Sequence, residues 1–95
     1  MNVFLTKRAE KNLQSIKEYI SEKFGKTSVK AFDQRVFSFL ELLTKFQTLG
    51  TLEFPEKGIY GFELTKNTRI FYRIKGDKVI VLSIFDVRQN PNKKP

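Results

Sequence analysis

Arg69-Ile-Phe-Tyr-Arg-Ile-Lys-Gly-Asp-Lys-Val-Ile-Val-Leu-Ser-Ile-Phe-Asp-Val-Arg-Gln-Asn-Pro91 is the stretch that decides how this chain folds. Two strongly apolar segments meet at Gly76-Asp77, a residue pair suited to the tight turn of a β-hairpin. Before the turn, Ile70, Tyr72 and Ile74 alternate with Arg69, Phe71, Arg73 and Lys75, which predicts a strand with one face on a core. After it, Val79–Phe85 is apolar on both faces, the pattern of a central strand covered on two sides. A hairpin that only fills a core needs no arginine at 69, 73 or 88. Guanidinium groups present a planar fork of donors that matches phosphate and carboxylate, so the pattern points to a polyanion or an acidic partner.

Working back from the hairpin, Ile59–Thr65 alternates as well, with Tyr60, Phe62 and Leu64 facing one way and Gly61, Glu63 and Thr65 the other. Lys66-Asn67-Thr68 reads as the turn between these two strands. Gln47–Lys57, punctuated by Gly50 and Pro55 and followed by Gly58, reads as a long loop. Further upstream the period changes. Ala9, Leu13, Ile16, Ile20 and Phe24 predict a helix over 7–24, capped by Thr6 and ended by Gly25. Val29, Phe32, Val36, Phe39, Leu40, Leu43 and Phe46, widened by Phe37 and Leu42, predict a second helix with Thr27 or Ser28 as its cap. So short a link implies an antiparallel helical hairpin. Asn2–Leu5 is a short β-prone run that reads as an edge or added strand, and residues 92–95 are expected to form a basic, mobile tail.

The expected fold is therefore α+β in the order β-α-α-β-β-β. One domain spans 1–95, with the helical hairpin on one face of a curved, mostly antiparallel sheet. The other face should carry Glu63, Arg69, Phe71, Arg73 and Arg88.

Charge alone fits a binding surface and a basic surface kept for solubility equally well. The chain has 95 residues and a net charge of +8, concentrated in its β half. Residues 1–56 hold nine Lys/Arg against seven Asp/Glu, whereas residues 57–95 hold nine against three. Such a field steers nucleic acid or an acidic protein toward the sheet. There is no cysteine and no histidine, which removes disulfides, Cys/His zinc sites and every Ser-His or Cys-His catalytic pair. Glu63 and Asp86 make no metal cluster, so no cofactor is expected. No apolar run approaches the roughly 18 residues of a membrane span, and the first residues lack a signal-peptide core, so a soluble cytoplasmic protein is expected.

This arrangement resembles the RelE/ParE superfamily, the toxin halves of bacterial type II toxin–antitoxin pairs. The resemblance covers nearly the whole chain. It rests on the opening strand, on Thr6-Lys-Arg-Ala-Glu-Lys-Asn-Leu-Gln-Ser-Ile-Lys-Glu-Tyr-Ile20 and on the Phe/Leu face of the second helix. Its most characteristic pieces are Arg69-Ile-Phe-Tyr-Arg-Ile74 and Val81-Leu-Ser-Ile-Phe-Asp-Val-Arg-Gln-Asn-Pro91. It implies a growth-inhibiting protein neutralised by a cognate antitoxin, and no particular oligomeric state. RelE-like members cleave messenger RNA in the ribosomal A site; ParE-like members inhibit DNA gyrase without being nucleases.

RNA cleavage by a 2′-hydroxyl needs a base, a stabiliser for the phosphorane and an acid for the leaving oxygen. Arg69 and Arg88 match by position the arginines that RelE-like enzymes place around the scissile phosphate. Alternatively they form strand-end ion pairs with Glu63 and Asp86. RelE-like nucleases put lysines, or a glutamate and a histidine, on the strand before Arg69, and a tyrosine or histidine near the C-terminus. Here the strand offers only Gly61 and Glu63, and only Gln89, Asn90, Pro91 and the tail follow Arg88. Glu63 would serve as base only if Arg69 held it close, and that pairing weakens a base.

This departure favours the ParE-like reading, with gyrase as target and Arg69, Phe71, Arg73 and Arg88 meeting antitoxin or target. Phe71 is expected between two arginines as an exposed anchor for an antitoxin segment. The alternatives are a ribosome-dependent endoribonuclease using Arg69, Arg88 and Glu63, and a decayed toxin that retains only antitoxin binding. A free-standing RNA-binding module ranks last.

Overall fold

The hairpin at the end of the chain organises the rest. In the computed structural model, which describes residues 1–89, strand β4 (Thr68–Lys75) pairs antiparallel with β5 (Lys78–Asp86). The pairing closes over Gly76-Asp77, with Lys75 opposite Lys78. On the far side of β4 lies β3 (Ile59–Thr65), also antiparallel. The first strand, β1 (Asn2–Leu5), runs parallel to β5 as the edge on that side. The expected tail at 92–95 lies outside the described residues.

Two expectations about the sheet change. Part of the predicted loop is a strand, β2 (Thr51–Phe54), which pairs with β3 and gives a five-stranded order β1-β5-β4-β3-β2. The middle strand is consequently β4 rather than β5. The second change concerns parity within β5. Phe71 pairs with Ser83 while Tyr72 pairs with Val81, so Leu82 is a bulge. One extra residue reverses every later side chain, which puts both Val81 and Ile84 on the helix side. The run that reads as apolar on both faces is two half-strands of opposite parity.

The helices α1 (Lys7–Phe24) and α2 (Lys26–Lys45) are joined by Gly25 alone. Gly25 adopts φ 91°, a conformation open chiefly to glycine, and this single residue reverses the chain. Lys17 and Asp33, eight residues either side of it, form an ion pair at 3.1 Å, as an antiparallel hairpin requires. Helix α2 starts at Lys26, so neither Thr27 nor Ser28 caps it; Ser28 Oγ donates instead to Phe24 O.

Thr6 caps α1 as expected, its Oγ1 accepting from Ala9 N at 3.0 Å. The same hydroxyl donates to Leu82 O, and Asn12 Oδ1 accepts from Ile84 N. These contacts satisfy the backbone of β5 where it runs past the end of β1.

The core lies between the helical hairpin and one face of the sheet. Ala9, Ile16 and Ile20 of α1 and Phe32, Val36, Phe39 and Leu43 of α2 bury against Ile70, Tyr72, Val79, Val81 and Ile84. Phe39 stacks on Phe62 with ring centroids 4.3 Å apart, and Tyr60 stacks on Tyr72 at 5.3 Å. The Tyr72 hydroxyl donates to Gln47 O and accepts from Gly50 N, both at 2.8 Å, and so ties down the segment leading into β2. Burial pushes that phenol above its ordinary pKa. Not every expected core phenylalanine is inside: Phe24, Phe37 and Phe46 lie at the surface.

Two basic surfaces on opposite faces of the sheet

Register fixes which side chains share the open face. Arg69, Phe71 and Arg73 alternate with the buried Ile70 and Tyr72 and so point away from the helices. Their cross-strand partners on β3 are Glu63, Gly61 and Ile59. The outer edge is shaped by a second bulge. Leu52 pairs with Tyr60 but Phe54 pairs with Ile59, leaving Glu53 as the extra residue. Glu53 and Phe54 are thereby presented on the same face.

Both complete the site. The Glu53 carboxylate takes a hydrogen-bonded ion pair from Arg69 Nη2, and Phe54 lies 6.4 Å from the Phe71 ring. Arg69 also stands over Phe71, with Cζ 5.8 Å from the ring centroid.

Two sequence expectations are corrected by this geometry. Arg69 pairs with Glu53, not with Glu63; Glu63 faces Arg69 across the ladder but is exposed and makes no ion pair among the described residues. Phe71 is no exposed anchor, being 6 % accessible beneath Phe54 and Arg69. Arg73 is exposed as expected, with no carboxylate partner among the described residues.

Arg88 belongs elsewhere. Thr68 pairs with Asp86, and both are buried on the helix side, so Arg88 follows them there instead of joining Arg69 and Arg73. Its guanidinium grips Asp86 with two bonds, Nη2 to Oδ2 at 2.8 Å and Nε to Oδ1 at 3.1 Å. Asp86 also accepts from Thr68 Oγ1 and from the Arg88 amide. Burial pushes the Asp86 carboxyl up, but the bonds from Arg88 and Thr68 outweigh it and hold the group below its ordinary pKa. The bond to Asp86 holds the Arg88 guanidinium above its own. The Asp86 half of the expected ion pairs is therefore present.

Arg88 further packs over the rings of Tyr19 and Phe24, 5.8 and 5.7 Å from their centroids. Beside it opens a cleft of about 420 Å³, lined by Phe24, Phe32, Arg35, Lys66, Asn67 and Arg88 among others. Arg35 is anchored by a bond from Nη1 to Leu64 O at 3.2 Å.

The chain thus has two basic surfaces separated by the thickness of the sheet. Sequence reasoning missed Glu53, whose role depends on the bulge; the alternation Leu52-Glu53-Phe54 was the available signal. No group of three or more histidine, cysteine, aspartate or glutamate side chains among the described residues could hold a metal ion. No helix of the described residues is long and apolar enough to cross a membrane.

Residues 3–91 match the family model described as the ParE toxin of the type II toxin–antitoxin system parDE. The chain belongs to the ParE toxin family. It is the toxin half of a type II toxin–antitoxin system, a class whose members are held in check by a cognate antitoxin protein. One solved structure agrees at the level of fold. A chain of the chromosomal ParDE toxin–antitoxin system from P. aeruginosa superposes with a TM-score of 0.77 at 21% identity, covering 90% of this toxin and 95% of that chain. A conserved hypothetical protein from Helicobacter pylori gives a TM-score of 0.48 at 14% identity, covering 90% and 93%. No curated protein sequence matches this ParE toxin.

Proposed function

We propose that this ParE toxin acts in the cytoplasm by inhibiting DNA gyrase, without cutting nucleic acid, and that its antitoxin neutralises it by covering the basic surfaces with carboxylates. The observation that carries the reading is the separation of Arg69 from Arg88. They lie on opposite faces of the sheet, each committed to its own carboxylate, Glu53 or Asp86. A scissile phosphate needs its stabilising cations, base and acid in one place. Glu63 stands in solvent with no hydrogen-bond partner among the described residues to orient it as a base.

Family membership supports gyrase as target, because inhibition of gyrase is the ParE-type activity. Within this reading Arg73 is the contact residue on the open face. Phe71 and Arg69 shape the surface around it, and Arg88 marks the second surface beside the cleft.

The test has two arms. Purified toxin is added to gyrase supercoiling relaxed plasmid, and separately to a translating bacterial extract supplied with ready-made message. Loss of supercoiling with an intact message supports the reading. Discrete ribosome-dependent cuts that vanish in Arg88→Ala would replace it with RelE-like RNA cleavage. Harmless expression of folded protein, with neither effect, would mark a decayed toxin that retains only antitoxin binding.

A further inference from the structure

The open face contains a small built pocket that the two basic surfaces leave unexplained. Its walls are Phe54, Ile59, Phe71 and Leu82, and its volume is about 120 Å³. Cavities of comparable size accept a benzene-sized group. Ser83 also lines it, and shares the open face because it pairs with Phe71 across the ladder. Ser83 is 3 % accessible, and its Oγ is the one buried side-chain polar atom among the described residues without a hydrogen-bond partner. A buried hydroxyl left unpaired carries its full desolvation cost, so it calls for a ligand atom.

The rest of the lining says which atom. Arg8 and Lys57 complete the pocket, and neither has a carboxylate partner among the described residues. Two unpaired cations beside an unpaired hydroxyl, over an apolar floor, match a side chain with an apolar stem and an anionic end. Arg8 also gains a purpose. At the first turn of α1 it opposes the helix dipole, a position that is unfavourable for a cation unless an anion comes to it.

We infer that this pocket takes a glutamate-class side chain from an acidic peptide segment of the antitoxin. The methylenes lie on Phe54, Phe71 and Leu82. A turn about χ1 brings the Ser83 hydroxyl, which has no accessible surface as it stands, to the carboxylate, and Arg8 and Lys57 supply the opposite charge. The bulge at Leu82 sets up the site, because it turns Ser83 rather than Leu82 into register with Phe71. This assignment rests on the proposed neutralisation by an acidic antitoxin and specifies where one of its residues is buried.

The experiment uses the full toxin and its cognate antitoxin, produced together, separated and titrated against each other at several salt concentrations. Ser83→Ala removes the hydroxyl, and Ser83→Val also fills the space. Each should weaken antitoxin binding about tenfold to hundredfold, the loss expected of a hydrogen bond to a charged group. Thermal stability should hold or rise, because the orphaned hydroxyl is gone. Arg8→Gln combined with Lys57→Gln should flatten the salt dependence of Kd.

Wild-type affinity in both Ser83 variants would overturn the pocket assignment, as would an unchanged salt slope in the double variant. Weakened gyrase inhibition with unchanged antitoxin affinity would hand the pocket to the target and also overturn it. If the wild type binds no antitoxin, the assignment and the reading beneath it fall together. If Arg73→Glu weakens the complex while the Ser83 variants do not, only the pocket is wrong.

Discussion

The carboxylate of Glu53 occupies the space above Gly61 that a side chain there would need. A Cβ on Gly61 would stand 2.6 Å from Glu53 Cδ and 2.9 Å from Arg69 Nη2, closer than atoms can pack. Gly61 is therefore the floor of the Glu53–Arg69 ion pair, and three strands meet there to place one arginine. Gly61→Ala should expel the Glu53 carboxylate from Arg69. The expected cost is at most about 1 kcal/mol, the worth of a partly exposed ion pair, because the clashing atoms are the ends of two flexible side chains that swing out to solvent. Thermal unfolding of a double-mutant cycle checks this: Glu53→Ala should relieve much of the Gly61→Ala penalty. Strict additivity would mean the two residues are independent.

Acid should weaken the toxin through Asp86. Its folded pKa lies below the ordinary 3.8, so the stabilisation it supplies is fully present above that value. That contribution disappears as pH falls through the lower, folded value. Urea unfolding between pH 7 and pH 3 should show wild-type stability falling at the acid end. Asp86→Asn should be less stable at pH 7 by about 2–4 kcal/mol, somewhat under a fully buried pair because Arg88 is partly solvated, and should lose part of the acid slope. Arg88→Ala should also destabilise the protein, since it strands a buried carboxylate, so any functional loss in that variant must be compared with its stability.

The Tyr72 hydroxyl ties the sheet to the segment that leads into β2 through two bonds to backbone, at Gln47 O and Gly50 N. Tyr72→Phe leaves a part-buried donor and acceptor without their partner and should cost about 0.5–1.5 kcal/mol, the net worth of such bonds. Amide exchange should quicken at Gly50 more than in α1, because the loss is local to that segment. Uniform acceleration across the chain would show instead that the hydroxyl acts on global stability alone.

Much of this architecture was legible in the sequence. Helical spacing in α1 and α2, Thr6 as a cap and the Gly76-Asp77 turn are local signals, and local signals survive folding. The bulges are not local. Leu82 and Glu53 become extra residues only when their strands are aligned with neighbours whose register is set elsewhere. That is why β5 read as a doubly covered central strand, why β2 read as loop, and why Arg69 was assigned to Glu63. The sequence groups Arg88 with Arg69 because the two match by position the arginines that RelE-like enzymes set around one phosphate. The true side of Arg88 is dictated by the buried Thr68–Asp86 pair, two residues back on β5 and across on β4.

Arg73 is the cleanest probe of function because nothing in the fold depends on it. It is exposed, it makes no ion pair among the described residues, and its neighbours across the ladder are Ile59 and Ile80. Arg73→Glu should leave stability within about 0.5 kcal/mol of wild type, as surface changes away from specific contacts do. Placed against an acidic antitoxin, the new carboxylate should weaken the complex at least tenfold and mainly slow association at low salt. Calorimetric melting of the free toxin, set beside association rates with the antitoxin at two ionic strengths, separates the two effects. An unchanged association rate with an unchanged melt would remove Arg73 from the interface and leave neutralisation to the surface around Arg88.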